Sequence, residues 1–541
     1  MNNESALCPV DRTFCSRRSS FASLTKPKDY DILYLINQLG KRDSLADPML
    51  DSLMFAVKSA TKRKESYMTT KNNTSCPENE YINTYCNPTP LPDYPIGRSC
   101  YIEGADILCD YRETADPTVI YDNGVWYLYP SCGMVYWSED FVHWNRERME
   151  PYDIGYAPTV VKHKGKYLLA ASGSGLYESD SPKGPFKLLG SFKKPSGDDL
   201  SVLDPMLFSD DDGRLYIYGG CGGHISGAEL DSDDPIQLLT EYALMFEMNT
   251  KDHVWERMGD MNEDPSFSWT EGAWMYKRNG IYYLTYCAPG TEWITYAMGA
   301  YKSSSPLGPW EYMPTSPFLI KTHGIVKGTG HGCIVDGPND TVWAFYTCCM
   351  CYGGMFERRI GYDPISFDEN GNIIPKTPTD VPQWAPGVKS EPHLDNSAGL
   401  IPLTQHKKCS ASSCAPGRDA LYAVDDSMLS WWQPAENDPS PSLKVKISDH
   451  AMEIRSVRII WRDVGLDVKK NYLPGPFGYA LYALTEDNEW VCVLDKRDNA
   501  IDMVVDYTPV LPVRATAVKL DITFSPEHIT PGLINLTVFG F

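Results

Sequence analysis

Three acids each stand immediately before an apolar strand. Asp116 leads into Pro117-Thr118-Val119-Ile120-Tyr121, Asp204 into Pro205-Met206-Leu207-Phe208, and Glu271 into Gly272-Ala273-Trp274-Met275-Tyr276. Two further copies of the same unit open on Ala157 and His331. If the units are arranged radially, corresponding positions converge near one axis. The three carboxylates would then meet in one shallow pocket, as groups able to exchange protons with a bound molecule. Surface acids placed at random would not fall at one phase of a repeat.

The repeated element is a hairpin. Thr118-Val119-Ile120-Tyr121 turns through Asp122-Asn123-Gly124 into Val125-Trp126-Tyr127-Leu128-Tyr129. The other copies turn at Lys164-Gly165, Asp212-Gly213, Asn279-Gly280 and Pro338-Asn339-Asp340. An Asn-Gly pair between apolar runs is a strong hairpin signal. Five copies spaced about 40 to 70 residues apart predict a five-bladed β-propeller. Two Ser-Pro-x-Gly-Pro-aromatic turns, Ser181–Phe186 and Ser305–Trp310, add a second layer of repetition.

At 541 residues the chain is too long for one core and suggests two or three domains. A net charge of -22 argues against nucleic acid and is easier to reconcile with a neutral substrate. No apolar run reaches the about 18 residues that a membrane span needs, so no membrane partner is expected. No secretory signal is visible, so the expected compartment is the cytoplasm; a different start would make the protein secreted. The 16 cysteines are then expected to be mostly free thiols. Oligomeric state is not legible in the sequence.

Residues 1–80 do not share the repeat and read as an irregular or partly helical extension. The propeller is expected over 81–385, a Pro-rich linker over 386–400, and a β-sandwich over 401–541, where short strands alternate. The fold class is all-β.

Several motifs in this order resemble glycoside hydrolase family 43. They are Ala115-Asp116-Pro117, Tyr156-Ala157-Pro158, Asp204-Pro205 and Thr270-Glu271-Gly272, with Ser138-x-Asp140-Phe141-x-x-Trp144 and the paired Ser-Pro-x-Gly-Pro turns. Thr114-Ala115 departs from the family's usual approach to the first acid, an Arg or Tyr-Pro. The C-terminal segment is similar to discoidin-like, coagulation-factor type C sandwiches, on Asp425-Asp426 and Trp431-Trp432-Gln433-Pro434.

The resemblance implies an inverting glycosidase acting on pentose-containing plant oligosaccharides or polysaccharides, of the β-xylosidase or α-L-arabinofuranosidase type. Galactan, arabinan and non-catalytic glycan binding are the alternatives. It assigns the base to Asp116, the acid to Glu271, and the tuning of Glu271 to Asp204. Inversion places the acid and base carboxyls about 6.5–9.5 Å apart. Tyr156, Trp137, Trp269 and Trp293 are candidate sugar platforms or blade packing. Either Arg358 or Arg359 would reach sugar hydroxyls or Asp116. No cofactor is required, though the family position of His331 is associated with an axial calcium, the other reading being a channel histidine. Cys348, Cys349 and Cys351 read as strand thiols in preference to zinc ligands, and Asp210-Asp211-Asp212 as a solvated turn.

Overall fold

The computed structural model describes residues 79–99, 109–131, 133–152, 154–349 and 355–541. Of the expected 1–80 extension, all but Asn79 and Glu80 lie outside these residues, as does Cys351. The described residues are almost entirely strand, with helix confined to short 3-10 turns such as Glu80–Asn83. None of their helices is long and apolar enough to cross a membrane. Residues 79–541 form one compact unit.

Each predicted hairpin starts an antiparallel sheet. The first comprises Thr118–Asp122, Val125–Tyr129, Met134–Ser138 and Asn145–Arg148; the second, Thr159–His163, Lys166–Ala170, Leu176–Ser179 and Lys187–Gly190. The third comprises Met206–Ser209, Leu215–Gly219, His224–Leu230 and Ala243–Glu247; the fourth, Glu271–Arg278, Ile281–Ala288, Ala297–Ser303 and Glu311–Tyr312. The fifth has three strands, Gly332–Asp336, Val342–Cys349 and Arg358–Ile365. The leading strand of each sheet packs beside that of the next, and the fifth packs beside the first. At the first turn, Asn123 and Gly124 have φ of 51° and 85°, the left-handed pair that a two-residue hairpin requires.

The repeated motifs join neighbouring sheets. Tyr129 of the first sheet donates to the carbonyl of Pro182, and Tyr218 of the third donates to that of Pro306. Each proline carbonyl lies in one of the two Ser-Pro-x-Gly-Pro turns. In the Ser138–Trp144 motif, Ser138 Oγ accepts from the Phe141 amide at 2.9 Å, and Asp140 Oδ1 from the His143 amide at 2.8 Å. The loop so fixed drives Phe141 between the first and fifth sheets, with ring centroids 4.3 Å from Trp126 and 5.1 Å from both Phe345 and Tyr362. Burying such a ring stabilises the fold by about 1.5–3 kcal/mol.

Beyond residue 400 there are two antiparallel sheets. One orders Ile401–Pro402, Thr530–Gly540, Met452–Val464 and Val505–Ala515; the other, Cys409–Ala411, Ser442–Lys446, Ala517–Phe524, Gly478–Leu484 and Trp490–Lys496. Alternate residues of both, among them Leu443, Val445, Leu520, Ile459 and Val538, share one apolar core.

Candidate active site

A single backbone conformation recurs at the head of every leading strand. Asp116, Ala157, Asp204, Gly272 and His331 have φ of 50°, 49°, 46°, 60° and 38°. In the fourth sheet this position belongs to Gly272, one residue after the acid, and a bulge follows between Glu271 and Trp274. Left-handed non-glycine residues cost about 1–3 kcal/mol each and persist where their surroundings over-determine them. Here a residue near the end of each sheet's second strand reaches the next sheet. Ser131 Oγ accepts from the Ala157 amide at 2.9 Å, Ser172 Oγ from Asp204 at 2.8 Å, Cys287 Sγ from His331 at 2.7 Å, and Thr347 Oγ1 from Asp116 at 2.8 Å. Cys221 occupies the corresponding place in the third sheet and donates to Glu271 Oε2 at 3.2 Å.

Asp116 is buried and gripped. Arg358 Nη1 donates to its Oδ1 at 2.9 Å and Nη2 to its Oδ2 at 3.1 Å, while Ser131 Oγ donates to Oδ2 at 2.6 Å. His331 Nδ1 lies 3.4 Å from Oδ1. Burial works to raise the Asp116 carboxyl, but Arg358, His331 and Ser131 outweigh it and hold the group below the usual carboxylate range. Arg359 points elsewhere, to the carbonyl of Arg112. Of the adjacent pair, Arg358 is therefore the one that reaches Asp116.

Glu271 is set the opposite way. Burial and the nearby Asp204 carboxylate push it up to about 7, against His331, Tyr296 and Cys221. Tyr296 Oη donates to Oε1 at 2.7 Å. Asp204 is itself raised by burial, with His331 opposing, and takes a 2.8 Å hydrogen bond from Ser172. Burial and the carboxylates of Glu271 and Asp204 push the Cys221 thiol up, which keeps it a donor. Two carboxyls with opposite protonation preferences, bridged by a third, can divide base and acid work.

The candidate platforms are scattered. Tyr156 is 47% exposed beside Ala157, its ring 6.2 Å from Phe356. Trp269 is 37% exposed two residues before Glu271, its indole donating to Glu292 Oε1 at 2.9 Å. Trp293 belongs to the turn that leads to Tyr296. Trp137 lies on the third strand of the first sheet under the Lys183 ammonium, 4.3 Å from its ring centroid, outside the carboxylate cluster.

His331 sits beside two of the three carboxylates. Its Nδ1 faces Asp116 and Asp204, and their oxygens are engaged by Arg358, Ser131 and Ser172. A hard cation favours a shell of several oxygens over one imidazole. Among the described residues the group spaced to hold a metal is Asp204, Cys221 and Glu271, which does not include His331. Asp210 is not solvated: it is buried, accepts from Tyr282 at 2.6 Å and pairs with Lys277. Tyr296, Cys221 and the Ser131, Ser172 and Thr347 hydroxyls were not anticipated. The last three stand at one phase of the repeat, a signal the sequence did contain.

Residues 111–373 match the family model described as Glycosyl hydrolases family 43. The chain is 26% identical over 218 residues to Beta-D-galactofuranosidase xynD of Aspergillus niger, covering 39% of this chain and 57% of that protein. It is 27% identical over 255 residues to a Beta-xylosidase of Xylanibacter ruminicola, covering 39% and 73%. It is 26% identical over 342 residues to Xylosidase/arabinosidase 43A of Humicola insolens, covering 49% and 97%. The carboxylates, the arginine clamp and the tyrosine that meets the acid all fall within residues 111–373, the stretch that matches the model of glycosyl hydrolases family 43.

Proposed function

We propose that the protein hydrolyses O-glycosidic bonds of pentose-containing glycans by single-displacement inversion. The observation that carries this reading is the split between two carboxyls. Asp116 is held ionised by Arg358, and Glu271 is raised to about 7. In this reading Asp116 removes a proton from a water as its oxygen attacks the anomeric carbon. Glu271 gives its proton to the departing glycosidic oxygen, and Asp204 keeps Glu271 protonated through charge repulsion. Trp269 and Tyr156 offer exposed rings to the sugar. The printed names of the Xylanibacter and Humicola relatives, xylosidase and arabinosidase, favour a pentose.

We read the five sheets as blades of a propeller, which the packing of the fifth leading strand on the first supports. The two C-terminal sheets with their common core we read as a β-sandwich.

A second specificity, toward galactofuranosides, is favoured by the Aspergillus relative. Release of p-nitrophenol from aryl β-xyloside, α-L-arabinofuranoside and β-galactofuranoside, wild type beside Glu271→Ala, separates these readings. Turnover of a pentoside that falls in the variant is expected. Turnover of the galactofuranoside alone would transfer the assignment to the second reading. No turnover of any of the three, with sugar binding intact, would count against a glycosidase.

A further inference from the structure

Arg112 stands four residues before Asp116 and is buried. Its Nε donates to the Tyr94 carbonyl at 2.7 Å, its Nη1 to Asp463 Oδ2 at 3.0 Å, and its Nη2 to Asp502. Both acids belong to the C-terminal region, Asp463 on the strand Met452–Val464 and Asp502 just before Val505–Ala515. The Arg112 carbonyl accepts from Arg359. Glu113 follows, fully buried, and accepts from Arg358 Nε at 2.9 Å and Nη2 at 2.7 Å. The Thr114 amide then donates to the Arg358 carbonyl at 3.2 Å. One short segment is therefore held from two sides. Two adjacent arginines of the fifth sheet hold its backbone and Glu113, and two C-terminal acids hold its Arg112 head group.

We propose that Asp463 and Asp502 are positioning residues for Asp116: through Arg112 they fix the segment that presents Glu113 and Asp116 to Arg358, which makes the C-terminal region part of the support of the active site. A buried guanidinium that loses its carboxylates must move toward water. The Arg112 backbone and the next residue, Glu113, are themselves held by Arg359 and Arg358 on the way to Asp116. A misplacement of about 1 Å at a reacting group costs on the order of a hundredfold in rate. The groups that face Asp116 are Arg358 and His331 of the fifth sheet, Asp204 of the third and Ser131 of the first, with Glu113 on the other side of Arg358. Loosening the Arg358 contact while leaving the rest removes the strongest stabiliser of ionised Asp116.

This inference rests on the hydrolytic reading above, so its test has an arm that does not need turnover. The full chain is made with Asp463→Asn and Asp502→Asn together. In the crystal structure of the double variant, the Arg358 Nη1 to Asp116 Oδ1 contact is expected to open from 2.9 Å. On an aryl pentoside, kcat is expected to fall about 10- to 100-fold with KM nearly unchanged. The acid limb of the pH profile is expected to move to higher pH. A contact kept at 2.9 Å overturns the proposal whether or not the wild type turns over a pentoside. So does an unchanged kcat and acid limb in a variant that has only lost thermal stability. A wild type silent on the pentoside would sink the pentoside reading and leave the crystallographic arm to decide this one. If the double variant does not fold, Asp502→Asn alone is read by the same two measurements.

Discussion

Tyr296 Oη donates a 2.7 Å hydrogen bond to Glu271 Oε1, so the acid's proton affinity is set by a phenol as well as by burial and Asp204. That bond favours the ionised form and holds the carboxyl down. Tyr296→Phe should therefore raise Glu271 further above about 7. A general acid works while protonated, so activity should fall as pH rises through about 7 in the wild type, and at higher pH in the variant. A pH profile of kcat/KM on both proteins checks this. A basic limb that stays put or moves down would separate Glu271 from the titration.

Asp116 should govern the acid limb. Its folded value is depressed, so its contribution to stability is present above the unfolded value of about 3.9 and is lost as pH falls through the folded value. Activity should decline in that same low window, because a protonated base cannot take a proton. Arg358→Met removes the clamp and leaves Glu113 and Asp116 buried together. The expected loss is about 3–5 kcal/mol of stability, read by urea unfolding, with an acid limb shifted upward in whatever activity survives.

Replacing Glu271 should show a leaving-group dependence. Glu271→Gln is expected to lose about 10²–10⁴ in kcat on an unactivated disaccharide, and much less on an aryl glycoside whose phenolate leaves unaided. Equal losses on both substrates would argue that Glu271 binds substrate without protonating it.

The product's first anomer is a further test. Proton NMR during turnover should show the inverted sugar before mutarotation, as single displacement requires. Initial retention would require a nucleophile in place of the base.

Trp269 offers an exposed ring anchored to Glu292. Trp269→Ala should raise KM about tenfold, near 1.4 kcal/mol, with a smaller change in kcat. Steady-state kinetics on the preferred pentoside measures this, and an unchanged KM would remove Trp269 from the sugar contacts.

Much of the site was legible because the repeat carried it. The polar turns marked where hairpins reverse, and their phase marked where leading strands begin, which brought Asp116, Asp204 and His331 together. Glu271 departs by one residue because the bulge before Trp274 gives the left-handed position to Gly272. The choice between Arg358 and Arg359 was open because residue type is silent on direction. Successive strand residues face opposite ways, so one arginine meets Asp116 and the other the Arg112 carbonyl. Tyr296 stands just ahead of a third strand, a position that a reading of leading strands does not sample. Glu113 directly follows the strand Cys109–Arg112, which lies ahead of the first repeat, and has no period to reveal it.

The partners of Asp116 also set an order of events in folding. Thr347, which takes its amide hydrogen bond, is 231 residues further along the chain, and Arg358 is 242 residues further. Contacts of that sequence separation are slow to form, since a long loop must close before they stabilise anything. On the ribosome the first sheet emerges long before the fifth. Its acid stays without its clamp, and free to take up a proton, until the last hairpin is made. The pairing of this acid with its clamp is thus a late event for the nascent protein, reached when residues 116 and 358 meet.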